Sequence, residues 1–205
     1  MSKFVSRILS AVVATAALAS FASAAPSNWS VDAAHSEVGF EVKHIFSLVR
    51  GVFRDAQGTI VFDDANPANI KVDASVQTAS VNTGNEKRDG HLKTADFFDA
   101  EKNPTISFKS TKVAAAGKNK YKVTGDFTMH GVTKSVTFDA EFLGAGAVGV
   151  GGQSWGSKAG FIASATINRK DFGIVWNKTL DNGGLMLGDD VKINLNIEAN
   201  AVEKK

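Results

Sequence analysis

Val191-Lys192-Ile193-Asn194-Leu195-Asn196-Ile197-Glu198 places four branched aliphatic residues on one parity and Lys, Asn, Asn and Glu on the other. Successive side chains of an extended chain point to opposite faces, so this octet predicts a strand with one buried and one solvated face. The same mark recurs upstream, where Val38, Phe40 and Val42 oppose Glu37, Glu41 and Lys43. It continues in Ile60 and Phe62; in Ile70, Val72, Ala74 and Val76; in Ile106 and Phe108; and in Tyr121, Val123, Phe127 and Met129. Val132, Val136, Phe138 and Phe142 follow, then Phe161, Ala163, Ala165 and Ile167, giving eight predicted strands. Gly117-Lys118-Asn119, His130-Gly131 and Asp181-Asn182-Gly183-Gly184 supply the residues that tolerate positive φ where a chain reverses. One stretch departs from the pattern. Thr83-Gly84-Asn85-Glu86 has the spacing of a capping box and predicts a short helix from Lys87 to Ala95, and Asp96 caps a further turn before Asn103-Pro104 restarts a strand.

Eight amphipathic strands must close on themselves or stack as two sheets, and closure alone removes exposed edges. The expected fold is therefore all-β, an extended antiparallel barrel of about eight strands with one or two short helices in its connections. Its charged polar faces are the reverse of a barrel that faces lipid, which would also need aromatic girdles that three Trp and one Tyr do not supply. Fourteen Phe against a single Tyr leave the inward set with few hydroxyls, which suits either a solid core or a hydrocarbon guest.

Residues 1–24 read as a secretory signal peptide and residues 25–205 as one domain. Lys3 and Arg7 form a positive start, Ile8 to Phe21 is almost wholly apolar, and Ala22-Ser23-Ala24 is a small-residue cleavage site. The apolar run is shorter than the ~20 residues of a spanning helix. The expected location is the periplasm. Without the leader the chain holds 21 basic and 21 acidic residues, a balance that offers nothing to nucleic acid; Lys118, Lys120 and Lys122 read as a solvated edge. Zero Cys excludes thiolate metal sites, iron–sulfur ligation, a Cys nucleophile and disulfides.

The chemistry-bearing motifs are few. Gly144-Ala145-Gly146-Ala147-Val148-Gly149 satisfies a dinucleotide fingerprint literally, but no helix follows it, and it reads as a mobile hairpin connection. His35, His44, His91 and His130 have no metal-ligand spacing. His44 shares the parity of Phe40 and Val42 and is expected to point inward near a barrel end as a hydrogen-bonded structural histidine, whereas His130 is expected in an exposed turn. Arg88-Asp89-Gly90-His91 is the richest polar cluster. It reads as an Arg–Asp lattice pinning the helix to the barrel, with acid–base catalysis by His91, Asp89 and Arg88 on a lipid or small acid as the competing expectation.

Several stretches together resemble a known family. They are Asp32-Ala33-Ala34-His35-Ser36 leading into Val38-Gly39-Phe40; Arg88-Asp89-Gly90-His91-Leu92 continuing to Asp96-Phe97-Phe98-Asp99; Asn103-Pro104-Thr105-Ile106-Ser107-Phe108; Gly125 to Thr133; Arg169-Lys170-Asp171-Phe172-Gly173; and Gly188-Asp189-Asp190-Val191. In order and spacing they resemble the YceI family of polyisoprenoid-binding, lipocalin-like periplasmic proteins; the Gly144 to Gly152 stretch lies outside the resemblance. The resemblance implies a barrel whose elongated apolar channel takes an isoprenoid or another long-chain lipid, with no catalytic residues, cofactor or metal. Strand parity supplies the expected lining: Phe40, Val42, Phe62, Val72, Val76, Phe108, Phe127, Met129, Phe138 and Ile193. A polar head would sit at the mouth near Arg88 and His91. Transient membrane contact and a homodimer are the other partner states considered, and a stress-response structural protein with a filled core is the third functional reading.

Overall fold

The computed structural model describes residues 27–202, so the expected leader lies outside the described residues. Extended backbone follows the period-two pattern through eleven strands: β1 (Ser27–Val31), β2 (Glu37–His44), β3 (Ser47–Phe53), β4 (Ala56–Phe62), β5 (Lys71–Gln77), β6 (Val81–Asn82), β7 (Thr105–Gly117), β8 (Lys120–Met129), β9 (Val132–Val150), β10 (Gln153–Asn168) and β11 (Leu187–Ala201). One helix, α1 (Glu86–Leu92), and three 3-10 turns occupy the connections. Every pairing is antiparallel, and β1 pairs with both β4 and β11, which closes the ring.

Eleven strands make eight staves, because three staves are broken. β11 meets β2 along Leu187–Asn196 and β1 along 199–201, so β1 and β2 are two halves of one stave. β3 and β4 form the next, and β5 and β6 the third. The result is the closed antiparallel eight-strand barrel that the alternation predicts. The breaks are stitched with side chains. At the first, the Ser36 hydroxyl donates to the Glu198 carbonyl and accepts from the Glu198 N–H, both at 3.0 Å, in place of the missing ladder. At the second, Asp55 N–H donates to the Ser80 hydroxyl at 3.1 Å.

β6 is two residues long and pairs only with Val52 and Phe53, so the upper part of β3 has β2 on one side and no strand on the other among the described residues. The segment 83–104 crosses that gap. Phe98 sits with its ring centroid 5.6 Å from Phe53 and 6.4 Å from Phe40. The helix differs from the expected one. Its cap is Asn85, whose side-chain oxygen accepts from Arg88 N–H at 3.0 Å; Thr83 instead donates its N–H and hydroxyl to Asp89 Oδ1 at 2.9 and 2.6 Å. It also ends at Leu92, where Thr94 N–H closes a tighter turn on the His91 carbonyl and the Thr94 hydroxyl takes the same oxygen.

The Gly144–Gly149 run is strand rather than loose connection. β9 reaches Val150 and turns through Gly151 and Gly152, both at positive φ, into β10. The pairing of β8 with β9 stops at Glu141 and that of β11 with β10 at Lys158, so this hairpin projects beyond the barrel. Its Leu143, Val150 and Trp155 are exposed.

The barrel interior is not uniform along its length. At the lower end, near the β7–β8 turn, Phe62 packs against Phe142, Phe161 and Tyr121 with centroids 4.4, 5.5 and 5.7 Å away. Tyr121 donates its hydroxyl to Asp64, and burial together with that carboxylate pushes the phenol up to about 12. Higher up, Phe108 and Phe138 meet edge to face at 5.1 Å.

Candidate functional site

Above Phe108 and Phe138 the barrel is hollow. A cavity of about 560 Å³ occupies the upper half, toward the end that carries the β2–β3 hairpin, the 83–104 segment, the β8–β9 turn and the loop before β11. Such a volume is within the range of small-ligand sites. Of the residues assigned to a lining by parity, Phe40, Val42, Val76, Phe127, Met129 and Ile193 wall this cavity, and Arg88 and His91 stand at its edge. Phe62, Val72, Phe108 and Phe138 do not line it. They point inward as parity requires, but pack against other apolar side chains of the barrel interior. Parity assigns a face and carries no information about depth along the barrel. The strand pattern misses Val49 and Phe53 on β3 and Phe97, Phe98 and Trp176 from the connections, all of which help wall the space.

The mouth carries the polar groups. Arg88 donates from Nε to the Thr83 hydroxyl at 2.7 Å and from Nη2 to the Thr83 carbonyl at 3.0 Å, so the guanidinium is pre-positioned by the backbone that α1 caps. The His91 ring meets Phe97 and Trp176 edge to face, with centroids 4.9 and 5.1 Å away, and Nε2 is 2.8 Å from an Asp96 carboxylate oxygen. Asp89 is buried and turned to Thr83, away from His91. The Arg88–Asp89–His91 set thus does not assemble as an acid–base unit; Arg88 and Asp89 tie α1 to its own entry loop. His44 points inward as expected and is half-buried at the cavity edge, but its imidazole has no hydrogen-bond partner among the described residues. His130 corrects the expectation of exposure: it is half-buried, with Nδ1 3.0 Å from the Phe172 carbonyl.

Arg169 fixes the loop that roofs the site. The side chain is 3% exposed, and its Nε donates to the Gly188 carbonyl at 2.9 Å while Nη1 donates to the carbonyls of Ile174 and Trp176 at 2.7 and 2.8 Å. Nη2 reaches Asp189 Oδ1 at 3.1 Å. Burial pulls the guanidinium pKa down and the Asp189 carboxylate opposes that pull, so the group stays a cation that supplies donors to otherwise orphaned carbonyls. Trp176 is held over the mouth by this arrangement.

One other cluster of titratable groups lies at the β1–β2 break. Asp32, His35 and Glu198 gather there, and the Lys158 ammonium sits between the carboxylates at 2.9 and 3.1 Å. The ammonium is the cation of this cluster. Its hydrogen bond to Asp32, with a second from His35, holds that carboxyl well below the usual range, and Lys158 is raised in return.

The YceI-like domain profile matches residues 29–199 of this chain. A UPF0312 protein of Photorhabdus laumondii is 40% identical over 170 residues, covering 81% of this chain and 85% of the relative. The crystal structure of Burkholderia cenocepacia BcnA superposes with a TM-score of 0.73 at 27% identity, covering 83% of this chain and 99% of that one. A polyisoprenoid binding domain from Saccharophagus degradans shares the fold, with a TM-score of 0.59 at 15% identity over 85% of this chain and 98% of that one. The profile match spans almost the whole barrel, from within β1 to within β11, and on that ground the chain belongs to the YceI-like domain family.

Proposed function

We propose that this protein is exported to the periplasm and carries a long-chain isoprenoid, of quinone or prenyl phosphate type, or a similar amphiphilic lipid, without covalent chemistry. The observation that carries the reading is the hollow upper half, where apolar side chains from strands and connections enclose about 560 Å³ and polar groups gather at one end only. A filled-core structural protein would have no such space. Burial of hydrocarbon contributes about 0.8 kcal/mol per methylene, so a prenyl tail insoluble in water gains by entering, and the ordering of a flexible chain offsets part of that gain. The polyisoprenoid-binding description of the Saccharophagus domain, with which this chain shares the fold, and the leader-like Lys3 to Ala24 stretch support the reading.

The mouth also suits transient contact with a membrane. Phe46 is 91% exposed at the tip of the β2–β3 hairpin, and Leu48, Val175 and Leu185 are exposed on the same end of the barrel. Ile45 N–H bonds the Met186 carbonyl at 2.9 Å, which brings the hairpin and the Leu185 loop together. Apolar tips around an apolar opening allow a lipid to pass without crossing water. Mild purification followed by native mass spectrometry and lipid extraction tests the carrier reading. Co-purified prenyl lipid, or uptake of one when offered, is expected; a protein that carries nothing and takes up nothing overturns it.

A further inference from the structure

We infer that the projecting β9–β10 hairpin is a self-association edge, along which β9 of one copy pairs antiparallel with β9 of a second copy of this chain. The inference stands apart from what the cavity holds. β8 leaves β9 at Glu141, and the last bond on that side is from Phe142 N–H to the Asn119 carbonyl at 2.8 Å. The backbone groups of residues 143–150 that face this side therefore have no ladder among the described residues. The gap beside β3 is crossed by the segment 83–104, whereas nothing among the described residues covers this one. Open edges are ordinarily blunted by charge, proline or covering chain. Residues 142–157 contain no Asp, Glu, Lys, Arg or Pro, in a chain that is 21% charged.

Gly146 points the same way. A glycine inside a strand weakens it and marks a bulge or a place where another backbone comes close. Gly146 pairs in register with Lys158, is not at positive φ, and a Cβ on it would meet nothing within 4 Å. Its own chain does not require a glycine there. Two identical edges are self-complementary about a two-fold axis, so a single contact closes the assembly as a dimer. Antiparallel pairing sets the two barrels at opposite ends of the joint, where they clear each other; parallel pairing would force them side by side. Without the leader-like stretch the chain holds 21 basic and 21 acidic residues, so two copies meet without net repulsion. Leu143, Val150 and Trp155, each more than half exposed, flank the backbone bonds with apolar cover. The joint is about 26 Å long and about 10 Å thick, less than the ~800 Å² per partner of a standard interface, so the dimer forms and dissociates reversibly.

Sedimentation equilibrium from about 1 μM to about 1 mM tests this. The average mass should rise from one chain toward two across that range, and hydrogen exchange at 143–150 should slow in step with it. The chain has no Cys, so Ala145→Cys and Ala147→Cys each introduce a single thiol beside the two-fold axis. At least one should oxidise to a linked dimer about tenfold or more faster than Ser135→Cys, an exposed site on the part of β9 that β8 covers. Ala145→Lys combined with Ala147→Lys brings like charges together across the joint and should raise the dissociation constant about tenfold or more. Both positions are exposed, so the melting temperature should match that of the parent. A chain that stays monomeric up to about 1 mM overturns the inference, whether or not its hairpin then sediments with phosphatidylglycerol vesicles. A dimer that keeps its dissociation constant in the doubly substituted variant, and links no faster through 145 or 147 than through 135, lies on another face and equally overturns it.

Discussion

Gly51→Ala probes whether the wall of the cavity is built as described. Gly51 lies opposite Phe40 in the β2–β3 ladder, at a backbone conformation that alanine can adopt. A Cβ at this position would lie 2.5 Å from Phe40 Cζ, 2.7 Å from Phe40 Cε1 and 2.8 Å from Thr83 Cγ2. Each is about 1 Å inside ordinary carbon–carbon contact. The one retreat open to these neighbours is for Phe40, toward the cavity it lines. The Phe40 ring is bounded by Phe53 at 5.7 Å and Phe98 at 6.4 Å, and Thr83 is bound to both Asp89 and Arg88. The ring must therefore tilt into the cavity. Overpacking of this kind costs about 1–3 kcal/mol, and the stiffer unfolded chain returns about 0.4–1 kcal/mol. A net loss of about 1–2 kcal/mol lowers Tm by roughly 3–6 °C in a domain of this size. Prenyl alcohol uptake should fall as well, because the displaced ring takes ligand space. Phe40→Leu in the Gly51→Ala background should recover part of both losses, with a coupling of about 0.5 kcal/mol or more in the double-mutant cycle. Gly51→Ala protein that melts at or above the parent and binds with unchanged affinity would refute the reasoning.

Arg169→Lys keeps the charge but cannot serve three carbonyls and a carboxylate in fixed directions, so it should destabilise by about 2–4 kcal/mol and loosen the Trp176 loop; an unchanged urea midpoint contradicts the account. Asp32, Asp63 and Asp189 are all held below the ordinary carboxylate value, by Lys158, by Asn69 with the Asn66 N–H, and by Lys170 respectively. Their contributions are complete above the unfolded carboxylate value near pH 4 and are lost as pH falls through the lowered values, so Asp32→Asn should flatten the acid limb of the stability curve. Lys158 and Tyr121 have raised values, so their contributions are complete below about pH 10 and fade above it; denaturant midpoints from pH 2 to 11 check both limbs, and equal acid slopes in parent and variant contradict the assignment. Phe46→Ser should slow prenyl uptake from vesicles several-fold while leaving equilibrium affinity in detergent unchanged, and equal transfer rates argue against membrane contact by this hairpin.

The fold was legible because most strands present one dry and one wet face. Val191–Glu198 and Glu37–Lys43 state their register in their own alternation, and eight such segments suffice for closure. β1 and β3 escape the same reading for physical reasons. β3 exposes Leu48 and carries Gly51 where an inward side chain would be expected, because Phe40 needs that space. Its apolar residues therefore fall on both parities. β1 is five residues long, too short for an alternation to show. The glycine run at the far end of β9 belongs to a projecting hairpin with no dry face to mark it, so composition suggested a loop.

The site was legible by side and not by level. Phe40 and Phe62 have identical parity signatures, yet one borders the cavity and the other lies in an aromatic cluster at the lower end, because depth in a barrel depends on how staves align across the sheet. The cavity exists where the regular wall fails. β6 is only two residues long, and the chain bridges the gap with Phe97 and Phe98 from irregular backbone, anchored by the Asp89–Thr83 and Arg88–Thr83 bonds. A helix and a loop can bow outward from a barrel in a way that a laddered strand cannot, since each strand must stay about 4.8 Å from its neighbour. The hollow half and the non-strand wall are then one feature. The Arg88–Asp89 pair, which resembles catalytic equipment in the sequence, is what holds that wall in place, so Asp89→Ala should cost cavity volume and ligand uptake before it touches the packed lower half of the barrel.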